Sequence, residues 1–527
     1  MKSGILNTNI FHLPFHSRRL IILALAVLFS AAAPFSAAAS SDVQQADEES
    51  RRVVKQAKKL VKNGRLNEAE KLLRGDIERV PQGTTSKLEL AYVLFKQKKL
   101  GEAANISFEI AKAEPKNSFA FAILGTALLN AGNIREANAL FITALNLNKK
   151  EALAWAGIGM LDFYENRIEE SINNLYTAGF YDPDESDFIF SLAQVLARAE
   201  KYGEAAAAYD RFLLMSPSIE SERRDLIRGI INFLRYLDDK LPLYDVEGPS
   251  QTSVKFELVK DRPIIELRVN GKEKPLRFIV DTGSGISIIS KTAAEQLDIK
   301  PVARGGVTNT IGGIGKFEVV YGFLKSVQIG GVRIKNVPVY IREFHSNNDA
   351  IDGHVGLSLI SKFLTTIDYG NLTCSLIKRD FADKVNPVED KDILLFLRRT
   401  TSGFLSSEIQ LEGVEGSWNF IVDTSAGMSV ISDKFAELIE IGRFLREEKI
   451  RVVSGGGAIE GVQSFLLPRI ALGDNLRERI TAIALNLDSI NAASGFQQSG
   501  ILGNNFLKNY RLTFDFKESK VVFTPLQ

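Results

Sequence analysis

"FIVDTGSGISIIS" occupies Phe278–Ser290 of this 527-residue chain, and "FIVDTSAGMSVIS" occupies Phe420–Ser432. In each, an apolar run enters Asp-Thr, passes through a turn of small residues and resumes as a second apolar run. The reading is strand, turn, strand, with one aspartate, Asp281 or Asp423, delivered at the same point of each turn. Two matched turns imply two matched carboxylates.

The duplication extends in both directions. Upstream, "IIELRVNGKEKPLRFIVDT" parallels "SSEIQLEGVEGSWNFIVDT", so Glu266 and Gly271 fall on Glu408 and Gly413 at the offset of 142 that relates the aspartates. Downstream, "DGHVGLSLISKFLTTIDYG" parallels "SGILGNNFLKNYRLTFDFK", matching Gly353 to Gly500, Gly356 to Gly503 and Asp368 to Asp515. From Val254 onward the chain runs in short β-branched segments punctuated by glycine, the texture of an all-β region. Short helices are expected after each motif, at "SKTAAEQLD" and "SDKFAELIE".

Length predicts about three domains. With 65 basic against 64 acidic residues, the charge balance carries no footprint for nucleic acid. Lys2, Arg18 and Arg19 precede an apolar stretch from Leu20 to Phe29, and small residues end at Ala37-Ala38-Ala39, the pattern of a cleaved export signal. That stretch is short for a membrane span, and no other stretch is long and apolar enough. The expected product is periplasmic, associated with a bacterial cell envelope, or secreted. Its charge becomes 62 basic against 64 acidic residues.

The single cysteine, Cys374, excludes an intrachain disulfide and reads as a small buried hydrophobe. His345 and His354 stand apart from each other and from any cysteine, so no metal is expected.

Between Arg52 and about Glu220 the chain repeats every 34 residues. Leu66, Leu100, Ile134, Ile168 and Tyr202 are each followed two positions later by glutamate. Small residues recur at Ala57, Ala91, Gly125, Gly159 and Ala193, and again at Ala69, Ala103, Ala137, Ser171 and Ala205. Pro81, Pro115, Pro183 and Pro217 close four repeats, and Lys149 stands at the same point of another. The segment resembles the tetratricopeptide family, whose helix pairs stack into a curved solenoid. The resemblance implies protein or peptide binding on the concave face; a spacer or dimerisation element is the plainer alternative.

Asp281-Thr282-Gly283-Ser284, with "FIV" before it and an apolar-Gly element some 70 residues on, resembles the aspartic peptidases, especially their retropepsin-like bacterial members. The expected fold is multidomain α + β: an all-α repeat solenoid followed by two all-β lobes of acid-protease type. The domains read as 1–39 signal peptide, 45–220 five-repeat array, 221–250 capping helix and linker, 251–379 first lobe, 380–393 linker and 394–527 second lobe. The resemblance implies that Asp281 and Asp423 form a catalytic dyad activating water against a peptide bond, with no cofactor. It implies that Thr282 and Thr424 lock the two turns across the lobe interface, that Gly283 lets backbone N–H groups approach the carboxylates, and that Ser284 bonds the outer oxygen of Asp281. Gly356 and Gly503 would lie behind the turns. Gly312, Gly313, Gly455 and Gly456 occupy flap positions.

The second copy departs from the family pattern at Ser425, where glycine is expected. A left-handed backbone there would cost a Cβ-bearing residue about 1 to 2 kcal/mol. Ala426 stands opposite Ser284, and His354 stands where the second copy has Ile501, a smaller irregularity. The leading reading is an exported aspartic endopeptidase that engages a protein partner through its repeats. The rivals are a noncatalytic peptide-binding protein and a scaffold working through the repeats alone. Whether the lobes pair within one chain or between chains is open to both readings.

Overall fold

A computed structural model describes residues 41–309, 316–344, 350–382, 392–454, 457–473 and 475–526. The proposed signal peptide, most of the 380–393 linker, His345 and the four flap glycines lie outside the described residues. The chain divides into two compact units: one of residues up to Phe163, Arg167–Ala199 and Ala207–Glu220, the other of Tyr164–Asn166, Glu200–Ala206 and Ser221–Gln527.

The first unit is helical, and its period is that of the sequence. Helices begin at Leu66, Leu100, Ile134 and Ile168, and their partners at Thr84, Ser118, Ala152 and Ser186. The recurrent small residues sit where paired helices touch. Ala57, Ala91 and Ala193 are fully buried. A Cβ on Gly125 would fall 2.8 Å from the Phe141 ring of the second helix of its own repeat, and one on Gly159 would fall 2.9 Å from Leu175. Ser171 Oγ donates to Gly159 O at 2.6 Å across the same kind of contact. Each pair therefore closes to a distance that a larger side chain would prevent.

The second unit is β-rich. In its first lobe we label the strands β1 (Arg262–Val269), β2 (Leu276–Val280), β3 (Ser287–Ser290), β4 (Ala303–Asn309), β5 (Lys316–Ile329), β6 (Val332–Arg342) and β7 (Gly353–Val355). The second lobe supplies β8 (Leu405–Leu411), β9 (Val414–Val422), β10 (Ser429–Ser432), β11 (Leu445–Ser454), β12 (Gly457–Leu466), β13 (Thr481–Leu485) and β14 (Gly500–Leu502). Sheet order runs β6-β3-β7-β2-β1 in one lobe and β13-β10-β14-β9-β8 in the other. Both lobes insert a three-residue strand, β7 or β14, parallel to the strand before the aspartate and antiparallel to the strand after it. Asn270 and Gly271, both at positive φ, turn β1 into β2, with Lys272 N donating to Val269 O at 3.0 Å.

A six-stranded sheet joins the lobes within one chain. Phe363–Asp368 pairs antiparallel with Tyr510–Asp515, Thr365 opposite Phe514 and Asp368 opposite Arg511. Lys520–Pro525 and Ile393–Phe396 extend it on one side, Thr373–Lys378 and Gln251–Lys255 on the other. Cys374 lies inside it, and burial pushes its thiol up to about 12, so it remains an inert thiol at neutral pH.

One assignment needs correcting. The helix expected to cap the repeat array, Ser221–Asp238, belongs to the β-rich unit. A Cβ on its Gly229 would fall 2.1 Å from Gly305 Cα of β4, and Phe233 stacks on Tyr321 of β5 with ring centroids 4.3 Å apart. Its helical character was legible, but the surface it packs against was not.

Within the helical unit, Lys96 Nζ reaches Glu185 Oε1 at 2.6 Å and Asp187 Oδ2 at 2.8 Å, and the Tyr92 hydroxyl also bonds Glu185. Lys96 and Glu185 are both nearly buried, so removing the cation takes the paired charge away from the Glu185 carboxylate. Lys96→Met is expected to cost about 3 kcal/mol, read as faster amide hydrogen exchange in Thr84–Lys96 and Ser186–Arg198.

Candidate active site

Asp281 leaves β2 and Asp423 leaves β9, and each is held from behind by the inserted strand. Asp281 N donates to Val355 O at 3.0 Å, and Asp423 N donates to Leu502 O at 3.1 Å. Leu357 N closes the first turn onto Ser284 O at 2.8 Å, and Asn504 N closes the second onto Ala426 O at 2.7 Å. Gly356 N donates to Ser287 Oγ at 3.0 Å, matched by Gly503 N to Ser429 Oγ at 3.1 Å. A Cβ on Gly356 would lie 2.6 Å from Ile286 C, and one on Gly503 would lie 2.5 Å from Met428 C. Both glycines are demanded by close approach of backbone to backbone, as the family resemblance implied. Ser287 and Ser429, equally symmetric in the repeat, went unnoticed because buried serines in an apolar run carry no local signal.

The threonines bind the two turns to each other. Thr282 Oγ1 donates to Val422 O at 2.8 Å and accepts from Thr424 N at 3.0 Å. Thr424 Oγ1 donates to Val280 O at 2.6 Å and accepts from Thr282 N at 3.1 Å. Both side chains are fully buried. Each hydroxyl uses donor and acceptor at once, so neither turn is satisfied without the other.

The threonines thereby bring the carboxylates together. A Cβ on Gly283 would fall 2.3 Å from Asp423 Cγ, which is the physical reason for glycine there. Neither Gly283 nor Ser425 has a positive φ, so the left-handed strain expected at Ser425 does not arise. Instead Ser425 donates to Asp423 Oδ1 from both N and Oγ, each at 2.7 Å, and Ala426 N adds a third bond at 3.2 Å. Asp281 Oδ1 accepts from Gly283 N at 2.9 Å. Ser284 does not reach Asp281: its Oγ donates to Ile286 O at 2.7 Å. The outer oxygen Oδ2 is taken by His354 Nδ1 at 2.7 Å. His354, apart from other site residues in sequence, lies beside the first aspartate because β7 pairs with β2.

Asp423 keeps some exposed surface as a residue, yet its carboxyl is enclosed by protein. That burial, with the nearby charge of Asp281, raises its pKa to about 6 against the pull of the Ser425 and Ala426 donors. A carboxyl that keeps its proton into mildly acidic pH beside a second carboxyl is an arrangement that can activate water; the aspartic-protease dyad is the standard illustration of that logic. The candidate flap glycines lie outside the described residues, but the strands flanking them pair as hairpins, Asn309 opposite Lys316 and Ser454 opposite Gly457. Among the described residues no group of three or more His, Cys, Asp or Glu could hold a metal, and no helix is long and apolar enough to cross a membrane.

Thr282→Val preserves shape but strands Val422 O and Thr424 N in the interior. A loss of about 2 to 4 kcal/mol is expected, measured by urea unfolding followed through probes in the β unit; unchanged stability would refute the role given to the hydroxyl.

Residues 265–359 match a family model described as aspartyl protease, and residues 54–118 and 158–218 match the tetratricopeptide repeat model. No curated protein matches the chain. Among solved structures, a thermophilic tetratricopeptide protein of Thermus thermophilus is 17% identical, with TM-score 0.30, the match covering 36% of this chain and 99% of that one. The pilF protein of Pseudomonas aeruginosa is 15% identical, with TM-score 0.27 and coverage of 37% and 88%. The chain joins tetratricopeptide repeats to an aspartic-protease-like domain.

Proposed function

We propose that the protein is an exported aspartic endopeptidase whose two lobes are tandem copies of one peptidase unit, paired within a single chain. The observation that carries this is the reciprocal threonine exchange between the two turns, which sets Asp423 beside Asp281, where burial and that neighbour's charge raise its pKa to about 6. The ionised member takes a proton from water as the water oxygen attacks the scissile carbonyl carbon. The protonated member donates to the carbonyl oxygen, giving a neutral gem-diol; proton transfer to the amide nitrogen then releases amine and acid. No covalent enzyme intermediate is needed. The repeats would recruit a protein substrate or partner, in keeping with the usual work of such arrays.

Cleavage of a diverse peptide library should be detected at acidic pH, with Asp281→Asn and Asp423→Asn each losing at least about a hundredfold in kcat/KM while remaining folded. Asp423 keeps its proton below pH about 6 and loses it above, so the rate should fall as pH rises through that value. Retained cleavage in either variant would sink the dyad; a folded wild type that binds peptides without cutting them would support a binding protein instead.

Export rests on the N-terminal pattern alone. Sequencing of the protein recovered from a bacterial envelope fraction should begin at Ser40; an intact Met1 terminus would contradict it.

A further inference from the structure

The two lobes repeat each other closely at the turns, yet the first copy has His354 where the second has Ile501. Its Nδ1 is 2.7 Å from Asp281 Oδ2, and its ring stands edge-on to Phe344 with centroids 5.5 Å apart. Resting on the reading of Asp281 and Asp423 as one dyad, we propose that His354 is a positioning residue: its Nδ1–H donates to Asp281, holds that carboxylate ionised, and so assigns the shared proton to Asp423. Asp281 is then the base toward water and Asp423 the acid toward the carbonyl oxygen.

The surroundings favour this direction. Asp281 also feels the guanidinium of Arg342, on β6, which packs against the Phe317 ring at 3.9 Å. Tyr340 faces Arg342 from the same strand, and Asp352 lies on the His354 segment with its carboxylate taken by Arg277 N at 2.9 Å. Positive charge thus lies near Asp281, whose Oδ1 already accepts from Gly283 N. On the other side, Asp423 faces Asp281 and Tyr369, whose hydroxyl is committed to Asn504 Oδ1 at 2.6 Å. Ser425 and Ala426 donate only to Oδ1 of Asp423, leaving its other oxygen for the proton. A hydrogen bond to the charged form favours that form, so a donor on Asp281 moves the proton to its neighbour.

The test has two arms on the full chain. With four histidines in the sequence, 15N-labelled imidazole signals are few, and His354→Leu assigns the relevant one. The expected spectrum shows a proton on Nδ1 that shifts in Asp281→Asn. A ring protonated only at Nε2, with Nδ1 accepting from Asp281, would overturn the proposal, as would indifference to Asp281→Asn. In the second arm, kcat/KM is followed against pH for wild type, His354→Leu and His354→Asn. Loss of the donor should move the acidic limb of the leucine variant upward by on the order of one pH unit. The asparagine variant, whose amide N–H can replace the donor, should stay near wild type. Superimposable limbs for all three would refute the assignment. If the folded wild type cuts nothing, the peptidase reading fails, and the imidazole spectrum still decides where the proton lies.

Discussion

Four hydrogen bonds between two buried threonines and the backbone of the opposite turn are the constraint on which the β-rich unit depends. In each turn the threonine N–H and the carbonyl of the residue before the aspartate are bonded by the threonine hydroxyl of the other turn, and a buried polar group that loses its partner is costly. The two copies of the motif therefore support each other structurally as well as supplying two carboxyls.

Closing the turns on each other puts two carboxyls where burial and mutual repulsion work on both. The glycine at position 283 follows from that closeness, since any Cβ there would collide with Asp423. The lobes then diverge. Ser425 turns its hydroxyl back onto the aspartate of its own lobe, whereas the first lobe leaves that task to His354 from a strand 73 residues away. The architecture is symmetric and its polar environment is not, and an unsymmetrical environment distinguishes two otherwise equivalent acids.

Much of this was legible in the order of residues. The 34-residue period gave the register in which helix pairs recur, and the small residues at Gly125 and Gly159 fall where paired helices close on each other. The place of Gly356 and Gly503 behind the turns was implied by the resemblance to the aspartic peptidases, and both are where backbone meets backbone. The helix Ser221–Asp238 was read as a polar cap on the array, whereas it packs on the β-rich unit, because residue order does not say which surface a helix will cover. Ser284 was given the bond that His354 makes because the family resemblance implied it, and nothing in residue order sets His354 beside Asp281.

The sequence by itself determined the two-part organisation, the repeat register and the pair of aspartates, since periodicity and duplication are properties of residue order. Only the tertiary structure decided that both lobes share one sheet in one chain, that Ser425 sits without left-handed strain, and that His354 touches Asp281. Those facts depend on strand pairing between segments far apart in the chain, where a carboxylate oxygen and an imidazole nitrogen meet at 2.7 Å only after β7 has been inserted beside β2.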